Sequence, residues 1–369
     1  MFAQYRELLM LMAAVGAACA VPGVFLVLRR TAMVADAISH VLLFGIAATY
    51  LIVRDANSVW LYVGAAASGV LTVALVEALQ RTKRLKADAA IGLVFPLLFS
   101  LGALLATLFM KNTHLDVDRV LLGNPTLATF DRLTLFGIDL MPRALAVMLG
   151  LFLLNGALVA VFYKEFKLST FDATLAAMLG FLPGVLHYGL MTMVSFTAVA
   201  AFDAVGPVVV VALFVVPAAT AYLLTDRLSV LLLLSVVIAI LSAVAGTLFA
   251  IAANANIAGA VATFLGAVFA VTFVLAPHRG LLAHVRRRIR QTRTFHETML
   301  AIHLYQHEGT PAEVEESRDD GLHRHLHWLP TEVRAVTARA ERRGLVTRAG
   351  PLWKLTPTGR ELAAATFGR

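Results

Sequence analysis

The 369-residue chain is 59% hydrophobic and only 15% charged, with a formal net charge of +8 and a mean hydropathy of +0.80. That balance excludes an ordinary soluble domain. The single cysteine, Cys19, leaves neither a disulfide framework nor a thiolate metal site available.

A spanning helix needs about 20 mostly apolar residues, because the hydrocarbon core is about 30 Å thick and each residue rises about 1.5 Å. Stretches that satisfy this lie near 8–28, 36–53, 59–79, 88–110, 143–163, 181–201, 205–224, 229–251 and 257–276, which gives eight or nine crossings. The first could be a signal peptide, but its apolar run continues to Leu28 and stops at Arg29-Arg30, so it reads as a retained helix. Arg29-Arg30, "QRTKRLK" (80–86) and "YKEFK" (163–167) mark cytoplasmic loops. "KNTHLDVD" (111–118) and "NANIAG" (254–259) carry little positive charge and suit the far side. Nine spans then leave the carboxyl end cytoplasmic and the amino end outside. "HLDVD" (114–118) is a solvated loop or a metal-capture element.

The second span is unusual. In "MVADAISHVLLFG" (33–45), Asp36 and His40 are four residues apart inside an apolar run. On a helix they share a face, one turn apart. A charge at mid-membrane costs about 2.5–3.5 kcal/mol on insertion scales, so it should face the bundle interior or a polar path. A carboxylate oxygen and an imidazole nitrogen on one face can share manganese, iron(II) or zinc. The alternative is a solvated capping aspartate and a histidine bonded to a neighbouring helix.

Around this pair, "LRRTAMVADAISHVLLFGIAATYL" resembles the second-helix motif of the zinc/manganese/iron ABC permease family, roughly R-R-x-x-x-x-G-D-A-x-S-H-A-x-L-P-G. Four further segments match that family in order: "DAAIGLVFPLLFSLGALL" (88–105), "VLLGNPTL" (120–127), "YKEFKLSTFDATLAAMLG" (163–180) and "VGPVVVVALFVVPAATAYLL" (205–224). The likeness covers about residues 5–276. Ala35 replaces the motif's first glycine, and Phe44 its proline, which restores a backbone N–H and removes a kink. Asp36, Ser39 and His40 are intact.

The resemblance implies an importer permease that is not an enzyme and binds no permanent cofactor. Its cargo would be a divalent manganese, zinc or iron ion, held in passage by Asp36 and His40 with Ser39 in support. It also implies a second permease copy (identical or related), a cytoplasmic ATPase and an extracytoplasmic metal-binding protein in a bacterial-type cytoplasmic membrane. The sequence has no G-x-x-x-x-G-K-[ST] phosphate loop, consistent with a separate ATPase. Phe171 to Gly180 is the expected coupling element. Phe171 and Leu175 would form an apolar knob, Ala176 and Gly180 would permit close approach, and Asp172 would cap the helix start. A secondary transporter would more often show paired halves with broken helices, and no such pairing is visible.

Near Pro277 the character changes. Residues 277–369 hold 16 Lys/Arg and 10 Asp/Glu against 15 and 13 in the first 276, so +6 of the net +8 lies in the last quarter. The domains expected are a permease (1–276), a basic juxtamembrane linker (277–294) suited to anionic lipid, and a cytoplasmic domain (295–369). In that last domain "ERRGLV" and "LWKLTPTGRELA", with "HETMLAIHLYQHEG" (296–309) upstream, resemble the winged helix-turn-helix of metal-dependent repressors. Helix 331–343 carries Arg334, Arg339, Arg342 and Arg343 as candidate nucleic-acid contacts, diluted by Glu332 and Glu341. Seven of the eleven histidines lie at or beyond position 284. Of these, His303, His307, His323, His325 and His327 are either surface residues or a metal-sensing set. The fold expected is thus an all-α polytopic membrane protein of eight or nine helices with a small cytoplasmic winged-helix domain. The competing function is a membrane-tethered, metal-responsive regulator or sensor that binds DNA.

Overall fold

The computed structural model describes residues 2–55, 58–109, 125–135, 138–277 and 279–367. The chain divides into two units, Met1–Gly280 and Leu281–Arg369. The first is mostly helical: α1 (Phe2–Leu28), α2 (Met33–Val53), α3 (Trp60–Arg81), α4 (Ala87–Phe109), a single turn α5 (Pro125–Ala128), α6 (Arg143–Val161), α7 (Tyr163–Phe171), α8 (Ala173–Met178), α9 (Pro183–Val205), α10 (Pro207–Leu224), α11 (Leu228–Ala253) and α12 (Ile257–Leu275). Among the described residues, nine of these are long and apolar enough to cross a membrane. One antiparallel hairpin, β1 (Arg132–Leu135) with β2 (Ile138–Pro142), interrupts the all-α pattern between α5 and α6. Strands of only four and five residues are too short to leave a periodic signal in the sequence. Arg132 ties the hairpin to Glu7 on α1 through a 2.6 Å ion pair.

The span ends differ from the sequence reading by a few residues, and local chemistry sets them. Pro183 and Pro207 occupy first-turn positions, where a missing N–H costs nothing. Gly206, at φ +84°, breaks the chain between α9 and α10. Asn256 caps α12 by accepting from the Gly259 N–H at 3.0 Å.

α1 is the hub, packed by α6, α9, α10 and α11. Its side chains Leu11, Met12, Val15, Cys19, Val24 and Phe25 are wholly buried. The burial of Cys19 is consistent with a packing role. Small residues bring the helices together, as expected where lipid is as apolar as the core. A Cβ built on Gly23 would lie 2.1 Å from the Phe214 carbonyl oxygen of α10. α2 packs on α3 and α4 and runs unbroken through Phe44, so the residue that replaces the motif's proline leaves the helix continuous.

The second unit comprises α13 (Leu281–His307), α14 (Glu313–Glu316), α15 (Asp319–His325), α16 (Pro330–Arg342), the hairpin β3 (Val346–Ala349) and β4 (Leu352–Leu355), and α17 (Pro357–Phe367). The basic run 284–293 is part of the continuous helix α13. Its own core includes Leu300, Leu322, Trp328, Val336, Trp353 and Leu355. Gly350 at φ +64° closes the β3–β4 turn within "RAGP".

Candidate functional site

Asp36 lies in the first turn of α2, where its charge suits the positive helix end. It is not the helix cap: that position is Ala32, without a side-chain bond. Its Oδ1 instead stands 3.5 Å from His40 Nε2. Two ligands of one ion at about 2.0–2.2 Å stand about 3.3 Å apart in a tetrahedral site, so the pair is spaced to share a cation with little movement. The His40 ring packs on Phe95 and Phe99 of α4, with centroids 5.6 and 6.1 Å away. The side chains stay 37% (His40) and 43% (Asp36) exposed. Ser39 points elsewhere: it is buried and donates to the Ala35 carbonyl at 2.9 Å.

A second polar group had no signal in the sequence, since its members come from four separate segments. Glu77 of α3 lies 2.8 Å from His187 Nε2 of α9 at ion-pair distance, without hydrogen-bond alignment. The Tyr188 hydroxyl donates to the other Glu77 oxygen at 2.7 Å. On the far side of the imidazole, Arg29 Nη1 is 3.4 Å from His187 Nδ1. The same guanidinium donates to the Ser169 hydroxyl at 2.9 Å and to Thr170 at 3.2 Å. Burial lowers the Arg29 pKa from its usual value. Glu77 and His187 line a cavity of about 70 Å³, together with Thr31, Val34, Ala37 and Thr72.

The expected coupling element is two short helices, not one. Asp172 is extended between α7 and α8 and accepts from the Leu175 N–H at 2.9 Å, so it caps α8. Phe171 therefore ends one helix and Leu175 belongs to the next. Both are exposed, with Met178, Leu179, Leu182 and Val185 beside them in the chain. Ala176 is buried within the unit rather than offered to a partner. Gly180, at φ +86°, completes a helix stop in which Phe181 N–H bonds to the Ala176 carbonyl and Gly180 N–H to that of Ala177.

In the second unit, the His303 and His307 rings lie 4.9 Å apart between centroids, tilted by 57°, on α13, and His325 lies near them beside Glu316. Burial pushes the His303 imidazole below its usual pKa. His323 donates from Nδ1 to the Trp328 carbonyl, and His327 sits in a left-handed turn at φ +53°. Arg343 and Arg339 are held by the buried carboxylate of Glu297, at 2.5 and 3.5 Å. Arg334 and Arg342 are exposed. Glu332 accepts from the Leu329 N–H at 2.9 Å and so caps α16. Residues 114–118, and residues 120–124 of "VLLGNPTL", lie outside the described residues.

Residues 1–276 match the family described as the ABC 3 transport family. The chain is 41% identical to the zinc transport system membrane protein TroD of Treponema pallidum, an alignment covering 97% of this chain and 98% of that protein, and so including the second unit. It is 42% identical to the manganese transport system membrane protein MntD of Bacillus subtilis over 74% of this chain and 93% of that one. Among solved structures, PsaBC from Streptococcus pneumoniae in complex with Fab superposes with a TM-score of 0.63 at 25% identity, covering 76% of this chain and 98% of that chain. With nine candidate spans among its described residues and a family match over residues 1–276, the chain belongs to the ABC 3 transport family.

Proposed function

We propose that the chain is the multi-pass permease subunit of an ATP-driven importer of a divalent transition metal: manganese, zinc or iron. The observation that carries this reading is the Asp36–His40 pair, 3.5 Å apart on one face of an apolar spanning helix. A half-exposed carboxylate facing lipid would be costly, by up to about 2.5–3.5 kcal/mol, the figure insertion scales give for a helix centre, and by less in the first turn where Asp36 lies. A second permease copy over this face removes that cost and converts the pair into the wall of a path. The cargo ion passes between these ligands, and its preference rests on geometry and on the extracytoplasmic protein that delivers it. The names of the zinc and manganese relatives support this cargo class.

ATP is hydrolysed by a separate cytoplasmic subunit seated on the exposed apolar surface from Phe171 to Val185. The carboxyl-terminal unit is cytoplasmic, beginning with a basic, lipid-facing stretch within 277–294. It is a winged helix-turn-helix in which α16 is the basic helix and β3–β4 the wing, and it supports or regulates transport. The tethered DNA-binding reading is the weaker one, because Glu297 already engages Arg339 and Arg343. Metal-competition uptake by the reconstituted complex tests the main reading. Asp36→Ala or His40→Ala should abolish uptake while leaving assembly and ATP binding intact. Full transport by both single variants would overturn it.

A further inference from the structure

The second unit holds a group of ligands that the transport path does not use. His303 and His307 are one turn apart on α13, and Glu316 comes from α14 after a short loop. One ligand atom from each lies within 4.8 Å of the other two. Glu316 Oε2 is 3.2 Å from His303 Nε2, and its Oε1 is 3.3 Å from His325 Nε2 on α15. His303 Nε2 also stands 3.3 Å from the Glu316 backbone carbonyl. Glu316 is buried, and its Oε2 has no hydrogen-bond partner among the described residues. A buried carboxylate oxygen without an aligned donor costs roughly 1–3 kcal/mol, and a cation bound between Glu316 and the imidazoles would remove that cost.

We propose that His303, His307 and Glu316 form a divalent transition-metal site, with His325 as the fourth ligand. Three imidazoles and one carboxylate suit zinc in a four-coordinate site better than they suit manganese, which prefers carboxylates and water. Ligand atoms of such a site stand about 3.3 Å apart at bond lengths of about 2.0–2.2 Å. Closing the present 4.8 Å envelope therefore takes side-chain adjustment of about 1 Å. Binding would clamp α13 to α14 and α15, the segment that leads into α16. The unit thereby becomes responsive to the metal, independently of whether Asp36 and His40 carry cargo.

The test uses the full chain in nanodiscs, stripped with chelator, with Zn(II) alone as the probe and equilibrium dialysis with elemental analysis as the readout. An Asp36→Ala/His40→Ala background removes any path-bound ion, so failure of the transport reading and failure of this one are separable. That background should bind one equivalent of zinc per chain, more tightly than Mn(II). Adding Glu316→Gln, or separately His307→Ala at a half-buried position, should weaken binding by about tenfold or more, whereas His323→Ala/His327→Ala should leave it in place. The proposal is overturned by absence of zinc from the background chain, by unchanged affinity in both the Glu316 and His307 variants, or by loss of zinc in the His323/His327 variant.

Discussion

Phe171 offers the sharpest quantitative test of the proposed coupling surface. Its side chain ends α7 with 61% of the residue exposed, so little of it contributes to the fold. Full burial of a phenylalanine is worth about 1.5–3 kcal/mol, and three-fifths of that, roughly 1–2 kcal/mol, remains available to a docked subunit. Since 1.4 kcal/mol is a factor of about ten, Phe171→Ala should weaken ATPase association by roughly 5- to 30-fold. Phe171→Asp should weaken it further, because docking would desolvate a new carboxylate. The melting temperature of the isolated chain should barely change in either variant. Binding of the ATPase to nanodisc-embedded chain, alongside a thermal melt, measures both quantities. Unchanged affinity in both variants, with the fold intact, would show that the partner does not seat on this surface.

Other substitutions probe different links. Gly23→Ala places a methyl 2.1 Å from the Phe214 carbonyl, which forces α1 and α10 apart. Overpacking of this kind costs about 1–3 kcal/mol and should lower the melting temperature in detergent. Arg29→Ala removes the donors to Ser169 and Thr170; it should reduce uptake without releasing the ATPase, which paired transport and pull-down assays would show. Glu297→Ala strands Arg339 and frees Arg343. The expected loss is about 1–3 kcal/mol, below the buried-pair range of about 3–5 kcal/mol because Arg343 is half in solvent, and hydrogen exchange across α13 and α16 reads it.

The sequence revealed whatever follows from periodic or contiguous signals. The apolar runs that gave eight or nine crossings correspond to nine candidate spanning helices among the described residues, and Asp36 and His40, one helical turn apart, meet as their spacing requires. The cap at Asp172 was also legible, because an N-cap is local chemistry. The split at Asp172 was not: capping α8 takes Asp172 itself out of the helical region and separates Phe171 from Leu175. The burial of Ala176 could not be read from the sequence, because smallness does not say which way a residue faces. Glu77, His187, Glu297 and Glu316 carried no signal as partners, since each finds its partner only after distant helices pack.

Arg29 connects these separate observations. It lies one residue beyond α1, the most buried helix of the bundle. Its guanidinium bonds at once to Ser169 and Thr170, the two residues before Phe171, and reaches His187 on α9. The planar fork of an arginine fixes the directions of its donors, so a shift of residues 169–170 must either carry the guanidinium along or break two hydrogen bonds. Carrying it along displaces the neighbour of His187, whose other nitrogen abuts Glu77 in the wall of the cavity shared with Val34 and Ala37 of α2. A lysine would keep the charge but not the fork. The route from the exposed surface at Phe171 to the helix that bears Asp36 and His40 thus runs through Arg29 and His187. What makes this route specific is that its links are directional polar bonds at partly buried positions, so breaking one leaves groups that have only limited access to replacement partners.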